Sequence, residues 1–299
     1  MSFTSIDLSK LPAPDVVEKL DYKNILAEML NQLRRIDPAF TALVESDPAI
    51  KILEVCAYRE MLLRQRINDA ARGVMLAFAA GSDLDQLGAL FGVTRKVIQH
   101  ADVSSFPSKQ AILEKDEDFR SRITLALEGL STAGPEGSYK FHALKHPKVK
   151  DVGVVGPPKV SPGQVLVTIL GHTGDGSITD KIVEEVKGLL SADDVRPITD
   201  EVIVKGAKIR KYNINAELFT DGGPDSNVVV EKARDRIERF TTSNHRIGRD
   251  IPLSGIYAAL HVDGVQRVFL KAPADAILID HTEAPFCTNV LLTHGGREK

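Results

Sequence analysis

The stretch best placed for chemistry is Gly171-His172-Thr173-Gly174-Asp175-Gly176-Ser177, a glycine-rich turn between the apolar run VLVTIL and a helical pattern. Loops of this kind cradle phosphates, because glycines let backbone N–H groups converge on an anion at a helix N-terminus. The spacing fits neither GxGxxG nor GxxxxGK followed by Ser or Thr, and no lysine follows. Asp175 also places a negative charge where a phosphate needs donors. Two readings stand: a flexible strand-to-helix turn, or a phosphate-ester or nucleotide-binding enzyme using Gly171–Ser177. His142 and His146 lie four apart on one predicted helix, a spacing open to a metal, but Phe-His-Ala-Leu-Lys-His-Pro lacks the glutamate of HExxH and a third ligand. Asp193, Asp194, Asp221 and Asp225 are loop acids without the spaced oxygens and closing glutamate of an EF-hand, so capping and turn formation account for them. There is no GxSxG elbow, and Cys56 on a predicted apolar helix face is a poor nucleophile. The expectation is a protein with no catalytic, cofactor or metal site.

Composition narrows the classes further. The 299 residues are enough for two or three domains, and 43% hydrophobic with 26% charged residues is an ordinary globular balance. A net charge of −3 argues against nucleic acid as a partner, since neutralising phosphates needs a clustered cationic surface. The run Lys145-His146-Pro147-Lys148-Val149-Lys150 is short and suits a solvated corner. Cys56 and Cys287 are far apart, which indicates no disulfide framework and a reducing compartment. The N-terminus carries acids early without a basic and then apolar segment, and nowhere do about 18 apolar residues run together. No membrane partner is expected, and the chain is expected to be made in the cytoplasm.

The elements that must position any site are dominated by one helix. Asp47-Pro48 supplies a capping carboxylate and a proline at the first helical position. The pattern then predicts a helix from Pro48 to Phe78, about 46 Å long. Ile52, Leu53, Cys56, Ala57, Leu63, Ile67, Ala70, Ala71, Val74, Met75 and Phe78 share a face roughly 140° wide. Glu60 and Arg64 sit inside that arc at i,i+4 spacing, and could set register against a partner or snorkel from the rim of an ordinary core. Val55, Leu62 and Leu76 lie off it, so the helix meets more than one neighbour. GSDLDQLGALFG follows as a helical corner, with Gly81 ending the long helix and Ser82 or Asp83 capping the next.

Around this helix the remaining elements fall in order. The first eighteen residues suit an extended arm, and a helix runs from Asp21 to Ile36 with Leu26, Leu30 and Leu33 on its apolar face. Residues 93–116 suit a strand plus linker, with a boundary near residue 100. Asp116 caps a short helix and Pro135 opens a second, with the Thr132-Ala133-Gly134 hinge between them. Strands are predicted over 149–155, 164–170 and 201–205, with a helix over 177–190. The second half repeats the plan: a strand through NINAELF, helices from Pro224 to Phe240 and at PLSGIYAAL, the strand 265–271 and two more. Ser138, Ala143-Leu144, Val149, Val152 and Pro157 match Ser254, Ala259-Leu260, Val265, Val268 and Pro273 at a constant offset of 116. Arg120–Ile123 pairs with Arg234–Ile237 at offset 114. Such register points to an internal duplication. The fold class expected is α+β: a bundle-forming helical arm over 1–100 and two small α/β modules over 101–205 and 206–299.

Several motifs then resemble one family when taken together. They are Gly81-Ser82-Asp83-Leu84-Asp85-Gln86-Leu87-Gly88 with Phe91-Gly92-Val93-Thr94-Arg95, and Phe119-Arg120-Ser121-Arg122-Ile123. Ser131-Thr132-Ala133-Gly134-Pro135-Glu136-Gly137 with Phe141-His142-Ala143-Leu144, and Arg196-Pro197-Ile198-Thr199-Asp200, follow in order. The chain resembles the baseplate J family of contractile-tail phages and R-type-pyocin-like tail bacteriocins. The resemblance implies a structural wedge protein, present in pairs, whose N-terminal helices bundle with a second, baseplate I-like wedge protein. Its α/β modules would join neighbouring wedges into a ring around hub and spike, near the tail fibres, and rearrange to release sheath contraction. A small lysozyme-like-fold wedge protein would link it to the sheath, and the chain would end up in a virion or bacteriocin baseplate. On this reading the long helix is a subunit interface, with candidate residues Leu26, Leu30, Leu33, Leu53, Glu60, Leu63, Arg64, Ile67, Val74, Phe78, Leu84 and Leu87. A cytoplasmic adaptor with no particle is the remaining alternative.

Overall fold

Asp21 and Asp47 each start a helix by one device: a carboxylate oxygen accepts the N–H of the second residue on, Lys23 and Ala49, at 2.8 Å in both cases. Helix α1 runs Tyr22–Ile36 and α2 runs Pro48–Gly73, and the two pack on each other. The computed structural model describes all residues except 1–7, 9, 10, 13, 15, 41–46, 103, 105, 131–134, 193, 194, 198, 222–225, 298 and 299. Most of the predicted arm, the Thr132-Ala133-Gly134 hinge, Asp193, Asp194 and Asp225 lie outside the described residues. Among those described are eight helices and eight strands, an α+β architecture. The chain forms two compact units, Thr4–Arg95 with Lys115–Ile123, and Lys96–Glu114 with Thr124–Lys299.

In the helical unit, α2 is shorter than its periodicity predicts. It spans 26 residues, about 39 Å, and ends at Gly73, so Val74 and Phe78 lie in the turn beyond it. The cause is distant in sequence. Arg120 donates to the carbonyls of Leu76 (2.7 Å) and Ala79 (2.6 Å), fixing a turn that an uninterrupted helix could not present. The corner also differs from expectation. Gly81 begins helix α3 (Gly81–Leu90) rather than ending α2, and neither Ser82 nor Asp83 caps it. Its N–H donates instead to Asp116, 3.1 Å away and 35 residues on.

In the second unit, β1 (Val97–Gln99) and β2 (Ile112–Leu113) form a short antiparallel pair. Helix α4 (Asp116–Leu125) belongs to the helical unit as far as Ile123, and in the second unit α5 (Glu136–Ala143) ends before His146. Strand β3 (Val149–Val155) pairs antiparallel with β4 (Gln164–Gly171), which pairs parallel with β5 (Glu201–Gly206) across helix α6 (Asp180–Leu190). Tyr139, Val149, Val167, Ile169, Val186 and Leu190 form its core. Strand β6 (Lys208–Thr220), helices α7 (Ser226–Asn244) and α8 (Leu253–Leu260), and strands β7 (Val265–Ala272) and β8 (Glu283–Arg297) build the next sheet, in order β7-β6-β8. One long strand, β8, follows β7 where two were predicted.

The two sheets share a spatial plan but not a chain order. Each has an antiparallel edge (β3 or β7), a centre (β4 or β6) and a parallel edge (β5 or β8). At offset 116, α5–β3 corresponds to α8–β7, with Ala143, Leu144, Val149 and Val152 buried like Ala259, Leu260, Val265 and Val268. Yet β4 follows β3, whereas β6 precedes β7. The helix–strand unit therefore recurs, while the sheet around it is strung differently.

Candidate assembly surface

The glycine-rich loop is occupied by its own side chains. Asp175 accepts from the Ser177 hydroxyl (2.6 Å) and N–H (3.2 Å) and pairs with Lys211 of β6 at 3.2 Å. These donors, the Ser177 hydroxyl foremost, hold its carboxyl down to about 2. A carboxylate that stays ionised there repels a phosphate. The two histidines part company because α5 ends at Ala143: His142 Nε2 lies 3.1 Å from the Gly129 carbonyl, and His146 Nε2 lies 3.0 Å from Glu185. They do not share one helix face. Cys56, predicted on a core face, is exposed.

The helical unit shows where the structural work is done. Arg95 joins Asp85 and Asp116 at 2.7 Å each, and both Arg95 and Arg122 lie over the Phe119 ring. Partial burial opposes ionisation of Asp116, but the Gly81 N–H and Arg95 outweigh it and hold the carboxyl below its usual range. Buried Asn68 accepts the Glu18 N–H (3.0 Å) and donates to the Glu18 carbonyl (2.9 Å), clamping the segment before α1 against α2. Arg64 binds Glu60 at 2.6 Å and reaches Glu18 at 3.4 Å, so the i,i+4 pair is engaged within its own unit. Sequence reasoning did not single out Asn68 or the part played by Arg120, because their partners are remote backbone groups. In the second unit, buried Lys96 was missed for the same reason, donating to the carbonyls of Val149 (3.0 Å) and His146 (3.4 Å).

Packing of α2 is inverted relative to a core helix. Its buried residues are Ala57 and Asn68, whereas Ile52, Val55, Leu62, Leu63 and Ile67 are exposed. Ile52, Cys56, Leu63 and Ile67 share one strip, and Val55, Tyr58 and Leu62 a second, with Arg59 and Arg66 between them at 100° per residue. The second strip borders a groove of about 650 Å³ whose lining includes Tyr22, Tyr58, Met61 and Leu62. Of the other candidates, Leu26, Leu30, Leu33, Leu53, Glu60, Arg64, Phe78 and Leu87 are half-buried, Val74 is exposed, and Leu84 is fully buried within its own unit. Among the described residues, no three His, Cys, Asp or Glu side chains group as a metal site, and no helix is long and apolar enough to cross a membrane.

The outward apolar side chains of α2 offer an assembly surface, and a carboxylate fills the glycine-rich loop; sequence comparison gives the kind of protein that carries them. Residues 45–102 match the Baseplate J-like N-terminal domain, 131–206 the Baseplate J-like central domain, and 212–293 the Baseplate J-like protein C-terminal domain. The chain belongs to the baseplate J family. It is 45% identical over 302 residues to Baseplate protein J of Escherichia phage P2, covering 98% of this chain and 99% of that protein. These matches support a structural role in a baseplate. A chain in the 6-fold symmetrised cryo-EM structure of the anti-feeding prophage (AFP) baseplate aligns at 11% identity with a TM-score of 0.41. That alignment covers 60% of this chain and 42% of the other.

Proposed function

We propose that this chain is a non-enzymatic wedge component of the baseplate of a contractile phage tail or tail-like bacteriocin. Its N-terminal helices bundle with a second copy and another wedge protein. The observation that carries this reading is the outward placement of the large aliphatics of α2 in a chain whose family is shown. The five exposed aliphatics Ile52, Val55, Leu62, Leu63 and Ile67 would form the apolar centre of such an interface, whose standard size is roughly 800 Å² per partner. The segments 1–100, 101–205 and 206–299 then divide the labour: the arm persists as the bundle, and the two modules join neighbouring wedges into a ring around the hub and rearrange when the sheath contracts. Contacts with a baseplate I-like protein, a small lysozyme-like-fold wedge protein, the spike and the tail fibres belong to the same reading, as does synthesis in the bacterial cytoplasm. The phosphate reading of Gly171–Ser177 has Asp175 against it.

Co-expression with the baseplate proteins encoded alongside it, followed by size-exclusion chromatography, tests the proposal. A stable complex containing this chain in more than one copy is expected. A monodisperse monomer indifferent to every one of those partners overturns it.

A further inference from the structure

The loop that failed as a phosphate site lies where the two sheets of the second unit meet, and His245 is at its centre. The ring follows the end of α7. Its Nδ1 lies 3.2 Å from the Lys150 ammonium on β3, and its Nε2 lies 3.2 Å from the Asp175 carbonyl in the loop. An ammonium can only donate, so Nδ1 accepts; Nε2 then carries the hydrogen and donates to the carbonyl. The imidazole is therefore neutral in the closed joint, in one tautomer.

Neighbouring groups close around it. Phe286 of β8 packs edge-on against the ring at 5.4 Å between centroids. A Cβ on Gly176, whose φ is +87°, would come 3.1 Å from two ring atoms and 2.5 Å from Leu170 Cδ1. On β3, Asp151 accepts the Ile247 N–H at 2.8 Å and lies 3.8 Å from Arg246, and Gly153 leaves room for the Ile247 side chain. Asp175 ties the loop to Lys211 of β6, and the Gly248 N–H reaches the Glu283 carbonyl of β8 at 2.9 Å. Charged groups facing the ring are thus Lys150 and Asp151 from β3, Asp175 from the loop with its partner Lys211, and Arg246 beside it.

We propose that His245 is a proton-sensitive pin that locks the sheet of β3, β4 and β5 to the sheet of β6, β7 and β8, and that protonating it releases the loop 171–177. A proton on Nδ1 removes the acceptor that Lys150 uses and puts two cations 3.2 Å apart in a half-dry joint. Burial first, and then Lys150, hold the imidazole down to about 4 from its ordinary 6.5. The sign follows: the unfolded or opened form binds a proton that the closed form refuses. The joint's stability is therefore complete above the ordinary imidazole range and is lost as pH falls toward about 4.

Hydrogen exchange of the full chain across that pH range, corrected for intrinsic exchange rates, tests this. Protection of 171–177 and 245–248 is expected to fall through a one-proton step, while the interior of β4 stays protected. Lys150→Met removes the facing cation and moves the midpoint to higher pH; His245→Gln keeps an amide donor and acceptor and abolishes the step. Absence of a step in the parent chain overturns the proposal. So does a step that survives unchanged in His245→Gln. Should His245→Gln fail to fold, an unmoved midpoint in Lys150→Met overturns it equally.

Discussion

Replacing Leu63 and Ile67 together by aspartate separates an interface helix from a core helix by magnitude. Each side chain is 63% exposed. That is roughly 110 Å² apiece, and full cover by a partner is worth about 2.7 kcal/mol each at 25 cal/mol per Å². Allowing for the ordering cost of association, the pair contributes about 4 kcal/mol, a thousandfold in dissociation constant. Burying two carboxylates would add to the loss. Folding of the free chain is nearly indifferent, because the positions face water; two aspartates in a helix interior cost about 1 kcal/mol in propensity. Sedimentation equilibrium of the chain and of its co-expressed complex should therefore show at least a thousandfold weaker association, with a urea midpoint close to the parent's. Association within about tenfold of the parent would show that this strip is not the interface. A large drop in the urea midpoint would refute the argument from exposure itself.

Three further outcomes follow from the geometry. Arg120→Met deprives the turn after α2 of two charge-assisted hydrogen bonds, a loss of about 3 kcal/mol, read as a lowered urea midpoint and faster amide exchange over 74–80. Gly88→Ala puts a Cβ 2.5 Å from the Phe119 ring and 2.7 Å from the Val93 carbonyl oxygen. It should destabilise the helical unit by about 2 kcal/mol or more, while Gly188→Ala, an open position in α6, should stabilise by about 0.5 kcal/mol. Asn68→Ala removes both bonds to Glu18 and should release 16–20 to fast exchange, with unchanged protection there counting against the clamp.

Local signals were legible and remote ones were not. Asp47 announced its helix because a capping carboxylate acts two residues away. The end of α2 was hidden because Arg120, 44 residues from Leu76, decides it. The start of α3 was misplaced for a like reason, since Asp116 supplies its cap from another helix. Periodicity revealed that α2 has a broad apolar face, but period and width are the same whether a chain covers that face itself or leaves it bare. Only the packing of Ala57 and Asn68 against the rest of the unit distinguishes the two. The joint around His245 brings together residues from 150 to 286, with no spacing that a linear reading could detect.

The unlike stringing of the two sheets sets a timetable for synthesis. Strand β4 returns against β3 as a hairpin, with Val155 facing Leu166, so little loop entropy opposes its closure. Strand β6 must wait for β7, and its parallel register with β8 joins Lys208 to Glu283. As the chain leaves the ribosome, the first sheet can close its hairpin early. The second holds a 13-residue central strand without its parallel neighbour until β8 is made. A ribosome stalled between β7 and β8 would therefore expose one flank of β6 to whatever strand is nearby, and β8 is the element whose arrival ends that exposure.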